Sequence, residues 1–123
     1  MALRLAAQAL GLSAGILLFM AALSDAADSS KLGAAARGRL ILLQKCGRCH
    51  AIEAVGDSPL KNAAPMRDIY FRFHPQELQE RLTEGLGSKH KEMPQIQFSD
   101  EDTYAIMTYL YALAVKLHEH RRN

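Results

Sequence analysis

The only two cysteines of this chain, Cys46 and Cys49, stand three apart in "QKCGRCHAI", and His50 follows the second directly. Two thiols beside an imidazole constrain the fold more than any other feature, because each chemistry open to them needs a different scaffold. A disulfide across two intervening residues closes a tiny loop and staples almost nothing, so an oxidised pair would be a redox active site. Such a site of the thioredoxin kind needs a βαβ surrounding. Zinc needs four ligands, and beyond Cys46, Cys49 and His50 there are only the scattered His74, His90, His118 and His120, with no second pair at ligand spacing.

The hydrophobic pattern supplies no βαβ unit. In "GRLILLQKC" the apolar run 40–43 leads into Cys46, and the preceding "AAAR" favours a mostly buried helix over a strand. In "HPQELQERLTEGLG" Pro75 suits a first helical position, Leu78, Leu82 and Leu86 recur every four residues, and Gly85 and Gly87 end the segment. The third segment, "SDEDTYAIMTYLYALAVKLHEH", opens on Ser99 as N-cap with three acids in its first turn. It runs Ile106, Tyr109, Leu110, Leu113 and Leu117 down one face. No stretch alternates like a strand and none repeats. The expectation is an all-α domain of three to four helices with long loops.

The N-terminus reads as a separate element. "MALR" precedes the apolar "LAAQALGLSAGILLFMAAL" and the small-residue stretch "SDAADSS", the order of a secretory signal. The expected organisation is a signal peptide over 1–26, a flexible tether over 27–36, the folded domain over 37–118 and a tail over 119–123. The competing reading is an uncleaved anchor, since Leu5 to Leu23 is just long enough to span a bilayer. Both readings place the domain outside the cytoplasm, either free in the periplasm or held at the inner membrane and facing it. A formal charge of +2, with no basic run interleaved with aromatics, argues against a nucleic-acid partner.

A mature chain of this size with long connections has too little apolar surface to order them. One covalently bound haem satisfies both this deficit and the cysteine motif. Thiols three apart on a helical turn point the same way and reach two vinyl groups of one porphyrin, and the imidazole one residue later coordinates its iron. Candidates for the opposite axial position are Met66, His74, His90 and Met93. Met93 is preferred, because Pro94 stiffens its loop and the last helix starts soon after. His90, between Lys89 and Lys91, reads as solvated, and His74 as a helix-start residue.

These residues resemble the small monohaem class I cytochromes c of bacteria over residues 33 to 117. Gly38 stands eight residues before Cys46 and Leu42 four before it, while "EMPQIQFSDEDTYAIMTYLYAL" is similar to the family's Met-Pro loop and capped C-terminal helix, with Tyr109 at its aromatic position. The resemblance implies that the first and last helices cross with Gly38 at the contact. It also implies that a loop carbonyl accepts the N–H of His50. "NAAPMRDI" departs from the family pattern, so that carbonyl belongs either to Ala64, the preferred register, or to Pro65. Arg67, Tyr70 and Arg72 are near enough in sequence to meet haem propionates, or are simply solvated.

With haem c held through Cys46 and Cys49 and the iron between His50 and Met93, the expected function is electron transfer rather than catalysis. The alternatives are a haem enzyme or gas sensor with an open distal side, or a tethered electron-accepting subunit of a larger oxidoreductase. The expected partners are redox proteins, such as a membrane oxidase, a reductase or a periplasmic dehydrogenase. They would dock at the haem edge within a rim of Lys45, Arg48, Lys89 and Lys91. The chain itself is expected to be a monomer.

Overall fold

Helix α1, over residues 33–45, opens the fold in a computed structural model that describes residues 31, 33–85 and 93–122. From residue 33 onward these belong to the unit Gly33–Asn123. The expected signal peptide and its cleavage site lie outside the described residues, as do Leu86, Gly87, Lys89, His90 and Lys91. α1 is already helical inside the segment expected to be a tether, because the alanines at 34–36 are the strongest of helix formers. Nor is its apolar run mostly buried. Four consecutive residues of a helix cover its whole circumference, so Leu42 is buried while Leu40 and Leu43 remain 54% and 38% exposed. The inward stripe is Gly38, Leu42 and Cys46, each one turn from the next.

Helix α2, Met66–Arg72, is the short fourth helix of the expected range, and the one whose position the hydrophobic pattern left unmarked. Pro65 precedes it with extended backbone, and Met66, Ile69, Tyr70 and Phe73 supply a helical face that packs on the core. Helix α3, Pro75–Glu84, starts on Pro75, buries Leu78 and Leu82, and ends at Gly85, whose φ of 99° lies in a region that disfavours side chains. Helix α4, Asp100–Arg122, is capped by Ser99, whose Oγ accepts from the Asp102 N–H at 3.1 Å. It continues through the expected tail at 119–122. There the basic residues suit the negative end of the helix dipole, and the Arg121 guanidinium lies 5.9 Å from the centre of the Phe71 ring.

The α1–α4 crossing organises the domain. A Cβ at Gly38 would overlap the Ala105 carbonyl and stand 2.8 Å from the Ile106 nitrogen, so only glycine lets the two backbones meet. The contact is therefore with the main chain of Ala105 and Ile106, and Tyr109 is engaged elsewhere. Arg37 clamps the crossing by pairing with Glu101 and, at 2.8 Å, with Asp102. Below it, Ile106, Leu110 and Leu42 share one core with Leu78 and Leu82 of α3, Met66 of α2 and Phe98. Among the described residues there is no strand, and no helix is long and apolar enough to cross a membrane.

Candidate functional site

Cys46 lies one turn beyond Leu42 on the inward stripe, its N–H bonded to the Leu42 carbonyl at 2.8 Å. The turn then closes on itself, because the N–H groups of Cys49 and His50 both reach the Cys46 carbonyl, at 3.0 and 2.9 Å. Both cysteines are free thiols, Cys46 buried and Cys49 partly so. Burial, and secondarily the neighbouring Cys49, push the Cys46 thiol up to about 11, the reverse of what a reactive thiolate needs. No group of three His, Cys, Asp or Glu side chains suited to a metal ion gathers among the described residues.

His50 is aimed by the chain itself. Its Nδ1 lies 2.6 Å from the Ala64 carbonyl oxygen. A carbonyl only accepts, so the proton resides on Nδ1 and the Nε2 lone pair is left to coordinate. Of the two carbonyls considered, that of Pro65 is committed to α2, where it accepts the N–H groups of Asp68 and Ile69 at 2.9 and 3.1 Å. Met66 is a buried core residue whose N–H bonds the Ala51 carbonyl at 2.9 Å.

The loop between His50 and Ala64 has no regular structure, yet it is stitched down throughout. Ser58 Oγ accepts from the Ala51 N–H at 3.0 Å, and the Leu60 N–H donates to the Cys49 carbonyl at 3.2 Å. Arg67 spans the loop, donating to the carbonyls of Glu53 at 3.3 Å and Gly56 at 2.9 Å. Arg67 therefore serves the loop. Tyr70 is half-buried, its ring edge-on to Phe71, and Arg72 is exposed at the end of α2. From α4, the Tyr109 hydroxyl donates to the Ile52 carbonyl at 3.0 Å, and burial followed by the Glu53 carboxylate raises its pKa, which keeps the donor protonated. From α1, Arg39 Nε donates to Glu53 at 2.7 Å. Sequence reading missed Arg39, Ser58 and the use of the Tyr109 hydroxyl. The one local signal was Gly56, a glycine in a polar turn, here at φ 93°.

On the other side, Met93 is half-buried and begins the segment that leads into α4. That segment is fixed to the end of α3: Phe98 is buried and its N–H bonds the Leu82 carbonyl at 3.0 Å, while Gln97 Nε2 donates to the Glu84 carbonyl at 3.0 Å. His74 is exposed at the start of α3, its carbonyl accepting from the Leu78 N–H at 3.0 Å.

Two free thiols on one turn and an imidazole with a defined tautomer are a donor set for covalent haem. The model of the cytochrome c family matches residues 35–114, which takes in the attachment turn, the loop, Met93 and most of α4. The chain belongs to the cytochrome c family, and so is a haem-binding electron-transfer protein of all-α fold. Family membership implies covalently attached haem c, for which Cys46 and Cys49 have the spacing. Comparison with curated proteins and with solved structures gives no match.

Proposed function

We propose that this protein is an exported one-electron carrier of the periplasm, with His50 and Met93 as the axial ligands of one haem c held by Cys46 and Cys49. The observation that carries the reading is the 2.6 Å contact between His50 Nδ1 and the Ala64 carbonyl, which orients the imidazole and leaves Nε2 free to coordinate. Bound haem supplies the Fe(III)/Fe(II) couple. The residues do the rest. Cys46 and Cys49 would hold the ring, and the Ala64 carbonyl would keep the His50 imidazole oriented. The Met93 thioether, with an affinity for the softer ferrous state, shifts the potential upward relative to bis-histidine ligation. With His50 and Met93 both holding the iron, no position would be left for a substrate. Export follows from the apolar N-terminal segment. Lys45 and Arg48, both exposed beside the attachment turn, together with Lys89 and Lys91, suit transient docking to acidic redox partners.

The test is Met93→Ala in protein matured by a host able to attach haem. The substitution should abolish the thioether-to-ferric-iron band, lower the potential and admit carbon monoxide, while His90→Ala does none of these. Rapid carbon monoxide binding by the wild type, unchanged in Met93→Ala, would favour an enzyme or sensor. Colour should also resist acid-acetone extraction, and colour that leaves with the solvent would overturn attachment through Cys46 and Cys49.

A further inference from the structure

The face of α4 turned away from the core carries a seam of its own. Tyr104, Thr108, Tyr111, Val115, His118 and Arg122 follow one another in alternating steps of four and three, the spacing of residues that meet a partner helix in a coiled coil. The seam lies opposite the buried Ile106, Leu110 and Leu113. Tyr104 is 59% and Tyr111 63% exposed, and Val115, His118 and Arg122 are exposed as well. Thr108 spends its hydroxyl on the Tyr104 carbonyl at 2.7 Å, within the helix.

The order of residues along the seam selects its occupant. About a midpoint at Leu113 the seam is symmetric, so a second α4 laid antiparallel would set Tyr104 against Arg122, Thr108 against His118 and Tyr111 against Val115. Each pair is chemically compatible: a cation on an aromatic ring, a polar pair, and an apolar centre. The ends agree too. The first turn of α4 is acidic, with Asp100, Glu101 and Asp102, and its last turn is basic, with His120, Arg121 and Arg122. Antiparallel pairing brings acid to base at both ends, whereas parallel pairing sets like against like. A net charge of only +2 leaves little repulsion between copies.

We propose that this face of α4 is a self-association surface, through which two copies of the chain pair antiparallel about a two-fold axis. This departs from the monomer expected from sequence alone and is independent of the axial-ligand reading. A single helix seam is at the small end of stable interfaces, so the dissociation constant is expected on the order of micromolar or weaker.

The test is sedimentation of the haem-loaded protein from low-micromolar to near-millimolar concentration. The mass should rise toward twice that of the chain, and Tyr111→Glu should remove the rise without altering the visible spectrum or helical content. Arg122→Glu and Asp100→Lys should each weaken association when alone. An equimolar mixture of the two should recover it, because antiparallel pairing brings the introduced carboxylate of one copy to the introduced amine of the other; parallel pairing would leave each single variant no weaker than the wild type. A wild type that is monomeric throughout, a Tyr111→Glu variant that associates normally, or a mixture no better than its components would each overturn the proposal.

Discussion

The two sides of the haem-attachment domain are held by different means. On the side of His50, a loop without regular structure is pinned by side chains that reach its main chain from α2 and α4 and one of its carboxylates from α1. Ser58, Arg67 and Tyr109 all bond its backbone, and Arg39 holds its Glu53 carboxylate. On the side of Met93, the described segment rests on one buried ring, Phe98, and two bonds to the last turn of α3. Polar stitching fixes direction, because a hydrogen bond weakens steeply off its axis, whereas burial of a ring fixes depth and leaves direction looser. On the proposed ligation, the first arrangement suits a ligand whose orientation sets its electronic character, and the second a ligand that has only to be present.

The contrast can be broken at its foundation. Gly38→Val should cost about 3 kcal/mol or more, since the added atoms meet main chain and no side chain can move aside. Thermal melting of the haem-loaded variant would measure this, and both sides of the site should suffer together. Phe98→Ala should cost about 3 kcal/mol and act on the Met93 side alone. The thioether band should weaken and exogenous imidazole should bind faster, with the His50 side unchanged. The smallest effect is expected from Arg67→Ala, about 1 to 2 kcal/mol, because one of its two carbonyl bonds is exposed. Its mark should be a shifted potential with the thioether band intact. If Arg67→Ala instead weakened the Met93 band and Phe98→Ala moved only the potential, the two sides would not be separately held.

What the sequence made legible follows the same division. Ser99, Pro75 and Gly85 announce helix ends through local chemistry, so three of the helices can be read directly, whereas the crossing at Gly38 rests on the family resemblance. The Cys46, Cys49 and His50 motif was legible because its spacing is itself the chemistry. α2 was not read, although Met66, Ile69, Tyr70 and Phe73 carry a helical spacing, because a seven-residue helix behind a proline leaves little periodicity to detect. The exposure of Leu40 and Leu43 was hidden by reading a continuous apolar run as a buried one. The loop bonds of Arg67 and of the Tyr109 hydroxyl are illegible in sequence for a deeper reason. A side chain that serves a distant main-chain carbonyl leaves no pattern in sequence, since the carbonyl is the same whatever residue bears it.

That sameness matters for how such a protein changes over generations. The acceptor facing His50 is main chain, so no exchange of the side chain at position 64 deletes it, and an alanine scan would pass over it. Variation reaches it only by bending the loop, through positions such as Ser58, Arg67 and Tyr109, which can be traded one at a time in small steps. The contact is thus buffered against sudden loss while its strength stays open to gradual adjustment. On the proposed ligation by His50, a lineage could therefore retune the iron to a new electron donor without ever losing the ligand.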